Sequence, residues 1–230
     1  MSEGISRRNL RSDEDADARL TSGFVTAGVL TFIMLAVVLF TETPEIGPYE
    51  GELAPNLIGK AHMSGSSTWV DFELYDELDF SWTNDSESDA KWILVIFMDT
   101  DCGYCWGKAE EMSMIHDTFG HHLNIISVAV NLNMGGHESS REEVVAFQDM
   151  LSFNGCNGGS TDCSSRGGAV HNWTYFDDLR ATEMDTWGVQ GTPFYVIIQP
   201  DGKVAWNQGQ HQDVEVAQAL FELMPPPPEE

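Results

Sequence analysis

The stretch Ile96-Phe97-Met98-Asp99-Thr100-Asp101-Cys102-Gly103-Tyr104-Cys105-Trp106 decides how the rest of the chain is organised. It ends an unbroken apolar run, residues 92–98, with the composition of a strand buried on both faces of a sheet. Three polar residues then turn the chain, and a Cys-x-x-Cys opens what reads as a helix over residues 103–119. The placement matters chemically. Thiolate is the attacking species in disulfide exchange, and the free N–H groups and partial positive charge of a helix N-terminus stabilise it. Two-residue spacing puts Cys105 one turn behind Cys102, so Cys102 can attack a partner disulfide and Cys105 can resolve the mixed intermediate. On this reading Cys102 is exposed at the mouth of the turn and Cys105 is shielded. A zinc site would call for a second ligand pair at matching spacing, and Cys156-x6-Cys163 does not have that form. The same two thiols also suit Cu(I), which leaves an extracytoplasmic copper-binding or metal-delivery module as the alternative.

Outward from this segment, strand and helix patterns alternate. Residues 123–130 form a second apolar run. Ser140-Arg141-Glu142-Glu143 fits a capping box, and Val144, Phe147 and Leu151 supply the apolar stripe of the helix it starts. Upstream, residues 69–74 read as a strand paired with residues 80–82. Downstream, a Gly-, Ser- and Cys-rich stretch at 154–168 precedes a short strand at 173–176 and a short helix at 180–187. Residues 194–198 and 203–206 read as strands joined around Pro200-Asp201-Gly202, and residues 214–224 as a closing helix. This order predicts an α/β three-layer sandwich with a mixed central sheet over residues 65–224. Residues 41–64, with Pro44, Pro48 and Pro55, read as a linker, and residues 225–230 as a disordered tail.

Three motifs give the chain a family likeness. Cys102-Gly103-Tyr104-Cys105, Gly188-Val189-Gln190-Gly191-Thr192-Pro193 and the Asp201-Gly202-Lys203 hairpin resemble those of the thioredoxin superfamily. The match runs from about residue 54 to 224 and is nearest in kind to the membrane-anchored proteins of TlpA/ResA type. The Gly-Tyr dipeptide is similar to that of periplasmic disulfide isomerases. The resemblance implies a thioredoxin-like fold, a redox-active Cys102–Cys105 pair, and no cofactor or metal. It also implies a cis Pro193 beside the pair, with Thr192, Pro193 and Tyr104 contacting an extended substrate segment as in strand addition. Partners implied are exported protein thiols or disulfides and a redox partner in or near the membrane.

Two departures stand out. Asp101 occupies the place usually held by Trp, and Ile96 the place of a buried acid. Proton transfer then falls to water or to Asp99, Asp101 or Glu110. Asp99 and Asp101 also disfavour a nearby thiolate, opposing the helix terminus, which leaves the direction of the Cys102 pKa shift open. Cys156 and Cys163 bracket a short flexible loop and are expected to form a structural disulfide, worth roughly 2.5 kcal/mol by chain entropy. A second redox pair, or a metal site with His171, are the other uses of these residues.

Residues 20–40 contain no charge and are long enough to cross a hydrocarbon core of about 30 Å. A secretory signal is the competing reading, but the usual apolar region of one is shorter, and no small-residue cleavage site follows. Arg7, Arg8, Arg11 and Arg19 precede the span, whereas Lys60 alone occurs in the twenty residues after it. Residues 1–19 are therefore expected in the cytoplasm, residues 20–40 as a signal anchor in the cell membrane, and the domain outside. All four cysteines fall on that oxidising side. The formal net charge is −26, and after residue 40 seven basic residues face 32 acidic ones. Such a surface repels phosphate backbones, which disfavours nucleic-acid binding. Protease added to intact cells should digest the cysteine-bearing domain; protection until lysis would contradict the orientation.

Overall fold

The computed structural model describes residues 25, 27–34, 44–84 and 89–224. Its strands are β1 (Ile58–His62), β2 (Trp69–Glu73), β3 (Trp92–Met98), β4 (Leu123–Val130), β5 (Asn154–Gly155), β6 (Thr161–Asp162), β7 (Thr174–Asp178), β8 (Phe194–Ile198) and β9 (Val204–Asn207). Helices α1 (Gly103–Phe119), α2 (Arg141–Asp149), α3 (Thr182–Thr186) and α4 (Val216–Leu223) connect or close them. Seven strands make one mixed sheet in the order β2-β1-β7-β4-β3-β8-β9, and β5 and β6 form a separate ribbon. β4 runs parallel to both β3 and β7, while β8 is antiparallel to β3 and β9.

The apolar run that ends at Met98 explains why β3 is central. Leu94, Ile96 and Met98 point to one face, where they meet Cys105, Ala109 and Met112 of α1, Phe147 of α2 and Leu220 of α4. Ile93, Val95 and Phe97 point to the other, against Leu57, Leu74, Met184 and Trp187. Strand alternation thus feeds two cores from one segment, and helices cover both faces.

Several sequence expectations are corrected. Residues 45–62 do not behave as a linker. Leu57 is fully buried, and β1 lies inside the sheet between β2 and β7. Residues 51–54 also bond to the last hairpin: the Gly51 N–H donates to Val204, Val204 N–H to Glu52, and Ala54 N–H to Gly202. They cover an edge that would otherwise present unpaired backbone. β1 escaped notice because Gly59 breaks its apolar alternation. That glycine is required, since a Cβ there would lie 2.7 Å from the Phe176 ring.

Residues 80–82 are not a strand. The Asp79 carboxylate accepts from the Ser81 N–H and hydroxyl and bends the chain into a turn. Leu151 is 51% exposed and beyond α2, because Met150 adopts a left-handed conformation (φ 54°) that ends the helix at Asp149. The capping box is half formed. Ser140 Oγ accepts the Glu143 N–H, but the Glu143 carboxylate turns inward.

The expected anchor at 20–40 falls largely outside the described residues, as do 1–19 and 225–230. Of the span, residues 25 and 27–34 are described and are helical. No described helix is long and apolar enough to cross a membrane. Leu57→Ala should destabilise the domain by about 2–5 kcal/mol, as for a fully buried leucine, read as a lower midpoint of urea unfolding. A linker residue would leave that midpoint unchanged.

Candidate active site

Beyond Met98 the chain crosses the end of the sheet through Asp99–Asp101 and enters α1. The antiparallel register sets Phe194 opposite Phe97, which draws Thr192 and Pro193 alongside this turn. The Thr192–Pro193 peptide is cis. Cys102 is the N-cap of α1, and its Sγ accepts the Cys105 N–H at 3.3 Å. The Cys102 thiol also lies 3.3 Å from the Thr192 carbonyl, to which it donates. Neither cysteine is bonded to another in this structure.

The two thiols are driven apart in acidity. Cys102 is lowered to about 6, first by the hydrogen bond from the Cys105 thiol. The Thr192 side chain and the Cys105 and Tyr104 N–H groups add to this, while burial opposes it. Cys105 is pushed well up, chiefly by burial and then by its bond to Cys102. Ionisation separates attacker from resolver here, and exposure does not. Cys102 is 2% exposed and Cys105 5%, which corrects the expectation of an exposed nucleophile. The N-cap geometry folds the Cys102 sulfur inward onto the Cys105 N–H and the Thr192 carbonyl. Tyr104, by contrast, is 82% exposed beside them.

Cys105 borders a cavity of about 20 Å³ shared with Ile96, Pro193 and Tyr195, among others, and no carboxylate lines it. Glu110 is exposed on α1 and packs beside Gly167. The Asp99 carboxylate accepts from the Asp101 N–H, the Leu132 N–H and the Ser139 hydroxyl. Asp101 accepts from the Gly158 and Gly159 N–H groups at 3.1 and 2.9 Å, and its second oxygen pairs with His137 Nδ1 at 2.6 Å. All three carboxylates proposed for proton transfer are thus placed away from the cavity beside Cys105.

His137 and Glu143 join this cluster, and sequence reading had given neither a role at the site. His137 follows a glycine pair with no informative spacing, and Glu143 looked like a capping residue. Glu143 hydrogen-bonds the Thr100 hydroxyl, and its carboxyl is raised to about 7, mainly by burial, with the charges of Asp101 and Asp99 adding. His137 is raised by its bond to Asp101. Asp101, His137 and Glu143 place ligand-type atoms within 4.8 Å of one another. Their hydrogen bonds to the loop amides, to one another and to Thr100 already engage them, and the group reads as a polar network.

Cys156 and Cys163 are bonded to each other and fully buried. His171 is not beside them as a ligand: its Nδ1 meets the Tyr175 hydroxyl, its Nε2 meets the Ala109 carbonyl, and its ring stacks on Trp173.

A β3-α1-β4 unit with Cys-x-x-Cys at its turn leads to a hairpin, β8-β9, that is entered through a cis-proline and closed by α4. That is a thioredoxin-like fold. No family model matches the chain, and no curated protein is similar to it. Among solved structures, the thioredoxin domain of a thiol-disulfide oxidoreductase from Bacteroides vulgatus is similar at 13% identity and a TM-score of 0.47, over 76% of this chain and 95% of that one. Thioredoxin peroxidase I of Plasmodium yoelii is similar at 16% identity and a TM-score of 0.49, over 76% and 90%. Likenesses this remote fix no chemistry; strand order, redox turn and cis-proline define the fold by themselves.

Because the fold favours the ionised form of Cys102, its alkylation by iodoacetamide should rise with pH to a midpoint near 6. A midpoint near 9, that of an ordinary thiol, would show that the site does not activate it.

Proposed function

We propose that this protein is a thiol–disulfide oxidoreductase of TlpA/ResA-like kind, with Cys102 as nucleophile and Cys105 as resolving thiol. One observation carries the reading: an acidified Cys102 at a helix N-cap lies against a cis Thr192–Pro193 peptide, with a protonated Cys105 directly behind it. In the reducing direction, the Cys102 thiolate attacks one sulfur of a client disulfide. A Cys102–client bond forms as the client bond breaks, and the released client thiolate takes up a proton. Cys105 then loses its proton and attacks the Cys102 sulfur, releasing the second client thiol. Two electrons have passed to the client, and Cys102–Cys105 is a disulfide. The same steps reversed would oxidise a client.

The segment at 20–40 tethers the domain on the outer side of the cell membrane. The arginines before that segment, and the fact that all four cysteines follow it, support this. Clients are exported protein thiols or disulfides, docked along Tyr104 and the Thr192–Pro193 edge, and a redox partner in or near the membrane resets the pair. No cofactor takes part.

Cys105→Ser should accumulate mixed disulfides with clients, because attack proceeds and resolution cannot, while Cys102→Ser should accumulate none. Non-reducing gels after acid quenching read this directly. If neither variant trapped a partner and both lost Cu(I) binding, the copper-delivery module would replace the enzyme.

A further inference from the structure

The redox turn holds two carboxylates, Asp99 and Asp101, next to a sulfur that must ionise. A carboxylate near a thiol raises the thiol's pKa unless its own charge is balanced. Asp99 is balanced within its own surroundings, by the Asp101 and Leu132 N–H groups and the Ser139 hydroxyl. Asp101, directly before Cys102, takes its partners from elsewhere in the chain. The Gly158 and Gly159 amides come from the loop closed by Cys156–Cys163, and His137 from the segment after β4. That loop is docked on the redox turn at a second point, where the Asn157 N–H donates to the Thr100 carbonyl at 3.0 Å.

Successive left-handed backbone makes the presentation possible. Asn157, Gly158 and Gly159 have φ of 52°, 78° and 74°, which turns neighbouring N–H groups towards one acceptor, as in an anion-binding nest. Here the anion is the protein's own side chain, itself almost wholly buried. Gly159 also packs on His137, where a Cβ would come within 2.7 Å of the ring. The other charged groups here do not substitute for the loop. Glu143, on α2, is itself an acid, held near 7 chiefly by burial, and brings no positive charge to Asp101. Asp162, inside the loop, is occupied by Ser152, Ser164 and the Phe153 N–H.

We propose that the Cys156–Cys163 loop is a positioning element of the redox site, whose Gly158 and Gly159 amides balance the Asp101 charge and so keep Cys102 able to ionise. The buried disulfide then has a task beyond stapling the fold. It holds a left-handed segment that would otherwise relax away from Asp101, and Asp101 couples the second cysteine pair to the first. The inference rests on Cys102 being the attacking thiol of the proposed oxidoreductase.

A double-mutant cycle on the full-length protein in detergent tests it. The rate of Cys102 alkylation by iodoacetamide is measured at pH 5, below the value of about 6 to which Cys102 is lowered, after mild reduction, with the state of Cys156–Cys163 checked by mass spectrometry. Cys156→Ser/Cys163→Ser should slow alkylation roughly tenfold, as a rise of about one pKa unit would. In an Asp101→Asn background, which removes the charge, the same pair of substitutions should change the rate by less than about twofold, inside the spread expected for uncoupled sites. An equal loss in both backgrounds, or no loss in either, overturns the proposal. Should the serine pair fail to fold, Gly158→Ala strains the left-handed loop segment (φ 78°) where a Cβ meets no other atom, and leaves the disulfide intact. It should slow alkylation with Asp101 present and not with Asn there, and equal effects would again overturn the proposal. Insulin reduction and the refolding of a scrambled disulfide protein by the unmutated protein are the separate controls. Failure in both would sink the oxidoreductase reading, whereas the alkylation cycle reports only on the Cys102 environment.

Discussion

Burial of β3 on both faces is the constraint from which the site follows. A strand apolar at every position has to lie inside the sheet, with parallel β4 on one side and antiparallel β8 on the other. Register then does the rest. With Phe97 paired to Phe194, the chain leaving β3 and the chain entering β8 emerge at the same end of the sheet, and the redox turn and the cis-proline meet there. No residue of the site reaches this end by itself; each is carried to it by hydrophobic pairing several residues away.

Within that frame the site separates two chemically identical side chains. Cys102 caps the helix, accepts the Cys105 N–H and lies against the Thr192 carbonyl, and the Cys105 thiol does most to lower its pKa. Cys105, a turn further in, gathers mainly apolar neighbours, and burial keeps its proton in place. A nucleophile ionised near neutral pH and a resolving thiol still protonated is the order that disulfide exchange needs, since attack must come before resolution. The protein achieves this although Cys102 offers little surface.

Charge is the difficulty this sequence has to manage. The carboxyl groups of Asp99, Asp101 and Glu143 crowd one side of the turn, with His137 as the nearby basic partner. Backbone amides contribute much of the compensation, and they come from β4's exit, from the turn itself and from the disulfide loop. One oxygen of Asp101 takes two of those amides. The carboxylate that seemed to oppose the thiolate is therefore a member of a closed hydrogen-bond network.

Much of the architecture was legible because it depends on patterns that local sequence carries. Continuous apolar runs marked β3 and β4, the Pro200-Asp201-Gly202 turn marked the last hairpin, and Cys-x-x-Cys at a strand-to-helix junction marked the redox pair. β1 was not legible, since Gly59 is there for the ring of Phe176, a contact more than a hundred residues away in the chain. The orientation of Glu143 was not legible either. A capping box is a local rule, and a buried hydroxyl on Thr100 outcompeted it. The sequence by itself determined the order of the main elements from β3 to α4, the place of the Cys-x-x-Cys pair and the residues able to bond in the second pair. Tertiary structure alone decided which thiol is acidic, how deeply both are covered, and that His137 and the Gly158–Gly159 amides belong to the site. Those properties depend on which distant groups lie within hydrogen-bonding reach and how much water is excluded, and neither is encoded in the spacing of residues along the chain.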